Sequence, residues 1–190
     1  GSYDDPSVDI DEGGPVSIMA LDISQGQTKW EFSSEDGFIK ALYATEDFLA
    51  FVGYQDFISV LDANTGKFLW KRDSGNWVPA ISGYEDTIYY GSANTKVHAW
   101  NISDGETLWE FNINNGSFNY ALDAPIKIGN NLFFLSQRGG LIVLNAKTGA
   151  LIAHHQTGLV AHIGLVTDGT WVVVGDSKGV IYAYNMSKML

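Results

Sequence analysis

With 190 residues, 45% of them hydrophobic and 13% aromatic, the chain can bury a sizeable core, and disorder is not expected over most of its length. Its net charge is −11 and no basic stretch occurs, which argues against phosphate-tracking nucleic-acid binding and against anionic membrane surfaces. Cysteine is absent, so disulfides, thiolate metal sites and a cysteine nucleophile are excluded, and no apolar run approaches the ~20 residues that a membrane-crossing helix needs.

In chain order, Gly1-Ser2 matches the remnant of a removed tag, and residues 1–14 form an acidic segment expected to be flexible. Its acids (Asp4, Asp5, Asp9, Asp11, Glu12) lack the third alternating ligand, the placed glycine and the distal glutamate of a calcium loop, so the expectation is a solvated tail. From residue 15 onward the chain reads as short strands. Two runs, 16–21 and 28–32, come first. Three units of four runs follow over 37–73, 76–112 and 118–156, with 38–43, 48–52, 57–61 and 67–71 in the first of them. Three last runs fall at 159–166, 171–175 and 180–184. Turn signals recur every ~8–12 residues and no segment keeps a helical period, which predicts an all-β fold.

The runs repeat. Ala20-Leu21-Asp22, Val60-Leu61-Asp62, Ala99-Trp100-Asn101, Val143-Leu144-Asn145 and Ala183-Tyr184-Asn185 lie 40, 39, 44 and 40 residues apart. Glycine follows the acid or amide at the fourth position in the first four copies (Gly26, Gly66, Gly105, Gly149). Tryptophan follows four residues later in three (Trp30, Trp70, Trp109), and the fourth copy has Ala153 there. The Asp or Asn can accept backbone N–H groups and open a turn, and the glycine can take the positive φ that closes it. The indole offers a broad face to a neighbouring repeat and an N–H to a carbonyl. Four short strands per unit of about forty residues predict β-propeller blades.

The segment Val60-Leu61-Asp62-Ala63-Asn64-Thr65-Gly66-Lys67-Phe68-Leu69-Trp70 resembles the Ala-Leu-Asp-x-x-Thr-Gly-x-x-x-Trp signature of the pyrroloquinoline-quinone (PQQ)-like propeller family, and the resemblance runs over residues 15–190. It implies a β-propeller of four-stranded antiparallel blades; the runs counted above make about four to five of them, with an incomplete ring or arc among the outcomes. It also implies either of two trades. One is the quinoprotein dehydrogenases, which hold PQQ and Ca²⁺ under a vicinal cysteine pair that this chain lacks. The other is a set of binding propellers that includes the lipoprotein of bacterial outer-membrane assembly, and the run from Asp168-Gly169-Thr170 to Tyr184 is similar to the last blade of that type. The expectation is a non-catalytic binding, scaffold or sensor module with no cofactor. Its partner would be a protein or peptide, and self-association through exposed blade edges is part of the expectation. A degenerate dehydrogenase fragment and a carbohydrate-binding propeller are the alternatives, and the resemblance favours a periplasmic or extracellular location.

The repeated Asp22, Gly26, Trp30, Asp62, Gly66, Trp70, Asn101, Gly105, Trp109, Asn145, Gly149 and Asn185 are read as structural, because a fold position explains them without a ligand. His154 and His155 are adjacent on a strand and point apart, and His98 is read as facing solvent. The non-repeating loop residues Phe38, Tyr54, Trp77, Phe118, Tyr120, Gln137 and Arg138 are the candidate partner-binding set, since aromatics beside amides and arginine mark binding surfaces. The competing reading has Phe38, Trp77 and Phe118 beginning the innermost strands.

Overall fold

The computed structural model describes residues 16–34, 37–113, 124–136, 140–156, 161–176 and 178–188, with the side chains of 161–164 and 176 left aside. Among these residues the chain forms seventeen strands in five antiparallel sheets. Blade I holds β1 (Val16–Asp22) and β2 (Gln27–Ser34). Blade II holds β3 (Ala41–Ala44), β4 (Phe48–Val52), β5 (Phe57–Asp62) and β6 (Phe68–Asp73) in sequence order. Blade III repeats the order with β7 (Ile81–Tyr84), β8 (Thr87–Ser92), β9 (Lys96–Asn101) and β10 (Thr107–Asn112). Blade IV is β11 (Ile126–Ile128), β12 (Asn131–Leu135), β13 (Gly140–Asn145) and β14 (Leu151–Gln156). Blade V is β15 (Ala161–Thr167), β16 (Trp171–Asp176) and β17 (Ile181–Asn185), ending in a single 3₁₀ turn over Met186–Lys188.

The fold is the predicted one: all-β, four-stranded antiparallel blades, an array that is not closed into a barrel. The innermost strands start later than the apolar runs suggested, at Ala41 and Ile81. Phe38 and Trp77 therefore precede their strands and do not begin them, because each residue sits in the connection that carries the chain between blades.

In blades II to IV the middle strands are buried on both faces, since each of these blades is covered by two neighbours. Four apolar clusters join consecutive blades: I to II around Phe51 and Leu61, II to III around Ile58, Val60, Ile88 and Tyr90, III to IV around Leu132 and Phe134, and IV to V around Phe133, Val143 and Val174. The outward face of blade I exposes Met19, Leu21 and Ile23, and that of blade V exposes Trp171 and Ile181.

The repeat residues explain the joints. Asp62 Oδ1 accepts from the N–H groups of Asn64 and Thr65 at 3.0 and 2.8 Å, and the Gly66 N–H donates to the Asp62 carbonyl at 2.8 Å with φ at +69°. Asp22, Asn101 and Asn145 build the same turn, while Asn185 Oδ1 accepts from the Ser187 N–H at 3.0 Å at the start of the closing 3₁₀ turn. The indole of each outer strand then reaches the next blade. Trp30, Trp70 and Trp109 donate Nε1–H to the carbonyls of Ala63, Ile102 and Ala146 at 2.9, 2.9 and 3.0 Å. Each ring lies flat on the turn glycine of that blade, so that a Cβ on Gly66 or Gly149 would come within 2.6 Å of it. The glycine thus does two jobs, closing its own turn and seating the neighbour's indole. The tryptophans wedge blades together, as the repetition implied.

Candidate functional site

Strands of blades II and III end on one face, where the connections 37–40 and 74–80 and the turns 53–56 and 93–95 emerge. Three of the seven candidate residues are described, and all three sit there exposed: Phe38 at 49%, Tyr54 at 53% and Trp77 at 41% of their full surface. Phe38 and Tyr54 pack edge to face with ring centroids 5.1 Å apart. Phe118, Tyr120, Gln137 and Arg138 lie outside the described residues.

An ionic hub positions this corner. Asp56 adopts φ +62°, left-handed for a residue with a side chain. Its Oδ1 accepts from Lys40 Nζ at 2.6 Å and from the Val78 N–H at 2.9 Å, and its carbonyl accepts from Ser74 Oγ at 2.5 Å. The pair is largely shielded from water. One carboxylate therefore fixes the turn under Tyr54, the strand entry under Phe38 and the connection beside Trp77. Ala93 adds a 3.0 Å N–H bond to the Trp77 carbonyl. Lys40 escaped the sequence reading because it sits inside an apolar run. That break in the run was the available signal.

His98 does not face solvent; it is buried, 4% exposed, in the joint between blades II and III. Tyr90, His98 and Trp100 share the face of blade III that meets blade II, and both faces of a middle strand are covered, so alternation alone could not reveal it. The imidazole stacks on Tyr90 at 4.5 Å. Nε2 lies 3.0 Å from Ser92 Oγ, and Nδ1 lies 3.1 Å from Glu110 Oε1, off the hydrogen-bonding direction. The residue types are those of a nucleophilic triad. Ser92, however, has no accessible surface, and its hydroxyl donates to Asn94 Oδ1, so no substrate reaches it. Burial pushes the His98 pKa down, with Glu110 opposing, and the Lys96 bond at 2.7 Å holds Glu110 below the usual carboxylate range.

The residues do not fit PQQ as the dehydrogenase pattern would hold it. The chain has no cysteine to form the vicinal pair, and among the described residues no three His, Asp or Glu side chains gather as metal ligands.

Four-stranded blades, stacked in sequence order and wedged by a recurring indole on a turn glycine, define a PQQ-type β-propeller array. The family model described as outer membrane protein assembly factor BamB matches residues 12–188, and the chain belongs to that family. BamB of Pseudomonas aeruginosa is 24% identical over 182 residues, which cover 95% of this chain and 46% of that protein. The quinoprotein alcohol dehydrogenase PedE of Pseudomonas putida is 29% identical over 116 residues, covering 51% of this chain and 18% of the enzyme. Among solved structures, BamB from Moraxella catarrhalis superposes with a TM-score of 0.76 at 17% identity, over 93% of this chain and 54% of that one. The computationally designed Ika4 protein gives 0.68 at 22% identity, over 78% and 91%. The chain spans about half the length, or less, of the curated relatives it matches.

Proposed function

We propose that this chain is a non-catalytic binding array that holds a polypeptide partner on the aromatic corner of blades II and III, within an assembly of the kind that the BamB relatives' name describes. The carrying observation is the exposed Phe38–Tyr54 pair with Trp77 beside it, braced from beneath by Lys40, Asp56 and Ser74. Rigid exposed aromatics contribute contact area at low entropic cost, and their bracing is in place before a partner arrives. The acidic balance of the chain suits a partner segment that carries lysine or arginine beside its apolar residues.

A photoreactive residue at Tyr54 tests this. In cell-envelope extract it yields one dominant protein adduct, lost when Phe38 and Trp77 are changed to alanine. Adducts spread over many proteins and insensitive to those changes defeat the reading, as does quinone turnover on adding PQQ and Ca²⁺. The proposal includes association through the exposed outward faces of blades I and V. Light scattering that gives the monomer mass at every concentration removes that part.

A further inference from the structure

On the opposite side of the array, consecutive joints are plugged differently. Between blades II and III, Tyr43 projects onto Gly83 so closely that a Cβ there would lie 2.1 Å from the ring. The pairing registers make Ser82 and Lys127 the counterparts of Tyr43 and Gly83 one joint further on. Tyr43 opposes Ala50 as Ser82 opposes Tyr89, and Gly83 opposes Ile88 as Lys127 opposes Leu132. The joint between blades III and IV therefore lacks the phenol plug, and a groove of about 420 Å³ opens at that joint, lined by Lys127 and not by Ser82.

The groove is lined by both signs of charge. Lys127 crosses the gap and lays its Nζ 3.5 Å from the centroid of the Tyr84 ring. Lys147 enters from the turn after β13, and Glu85 from the turn between β7 and β8. Among the described residues none of these three has an opposite charge within 4.0 Å.

Glu85 is held there against its backbone preference. Its two-residue turn puts φ at +52°, and the counterpart turn of blade IV fills the same place with Gly129 at +57°. The first residue of such a turn is a glycine site, and no described hydrogen bond uses the Glu85 carboxylate. Strain retained beside an open groove points to a use for the side chain.

We propose that this groove binds a small zwitterion of the amino-acid type, its carboxylate between Lys127 and Lys147 and its ammonium on Glu85. A plain anion would meet Glu85, and a plain cation would meet two lysines, so the paired charges select a ligand that carries both. The volume is in the range of small-molecule sites. The site goes beyond the aromatic corner and lies at the other end of the strands, so either can fail alone.

The test is an amide NMR titration of the intact chain with L-alanine, using acetate and methylamine as single-charge controls. L-Alanine at millimolar concentration shifts the amides of Glu85, Asn130 and Lys147 saturably, and neither control does. Glu85→Gly weakens L-alanine binding at least tenfold while raising the melting midpoint by about 2–4 °C through relief of strain. Lys147→Ala weakens binding with no change in melting. Three results overturn the proposal: no saturable shift with L-alanine, acetate binding as tightly as L-alanine in both parent and Glu85→Gly, or a lower melting midpoint in Glu85→Gly.

Discussion

Three joints of this array carry an indole, and the joint between blades IV and V does not. Where Trp30, Trp70 and Trp109 stand, β14 has Ala153, paired with Val143 as Trp70 is with Val60. The residue after the turn Asp or Asn changes in step. Ala63, Ile102 and Ala146 accept the indole N–H, whereas blade V places Met186 there, larger than either alanine and about the size of Ile102, buried in one cluster with Ala153. Relative to the Trp30–Ala63 and Trp109–Ala146 joints the pair has exchanged sizes, and the cluster stays filled. Packing density is thus held in common, while the hydrogen bond and the glycine seat belong only to the indole joints.

The sharpest way to break the comparison is to remove an indole. Trp109 is the most buried of the three, and Trp109→Ala is expected to cost about 3–5 kcal/mol of stability, from lost burial, a cavity and the loss of the indole bond to the Ala146 carbonyl, which keeps only the Tyr89 hydroxyl at 3.3 Å. Trp30 and Trp70 are half-buried, so the same change there costs roughly 2–3 kcal/mol. Urea unfolding followed by far-ultraviolet dichroism measures both. Equal losses at all three positions would show that burial does not set the energy of the joint.

Next come the seats. Gly26, Gly66 and Gly149 have nearly the same φ, +67°, +69° and +69°, so alanine pays the same backbone penalty at each, about 1 kcal/mol. Only at Gly66 and Gly149 does the added Cβ strike an indole; at Gly26 it meets open space. The expected losses are roughly 2–4 kcal/mol for Gly66→Ala and Gly149→Ala, and about 1 kcal/mol for Gly26→Ala. The difference, read from the same denaturation curves, isolates the seat from the turn.

The exchanged pair gives a smaller effect. Ala153→Trp should overpack the joint and destabilise by about 1–3 kcal/mol, and adding Met186→Ala should recover most of that loss. A double-mutant cycle with no coupling between the two positions would separate them and refute the size exchange.

Much of this was legible in the residues. The Asp-or-Asn, Gly and Trp spacing specifies turn, seat and wedge, because each depends on local chain geometry that recurs every blade. The strand inventory followed, apart from the innermost strands, where Phe38 and Trp77 read as strand starts. Long-range chemistry was hidden. Nothing near Lys40 in sequence announces Asp56, sixteen residues on, and nothing near Ser82 shows that Tyr43 is its counterpart. His98 misled because a polar residue on a period-two strand reads as outward-facing, whereas blades III's neighbours cover both of its faces. Tyr54 and Phe38 are exposed because aromatics in these connections have no core to enter.

The smallest expected effect concerns that buried imidazole, which separates the joint between blades II and III from the others by making it sensitive to acid. His98 meets Glu110 of β10, Lys96 of its own strand, Tyr90 of β8 and Arg72 of β6, whose guanidinium also lies over the Trp100 ring at 4.1 Å. Burial dominates and lowers the folded-state pKa below the ordinary value of 6.5. The unfolded chain therefore binds the proton first, so the stability due to neutral His98 is intact above about pH 7 and declines as pH falls below about 6.5, until the folded-state pKa is passed. One proton bounds the slope at about 1.4 kcal/mol per pH unit. Glu110, whose pKa is lowered, adds a separate loss only below the carboxylate range, as pH falls through its folded-state value. His98→Phe should flatten the decline between pH 5 and 7 and leave the lower step in place. Urea midpoints measured across that range decide it: a parent curve flat to pH 5, or an unchanged slope in the variant, would remove His98 as the cause.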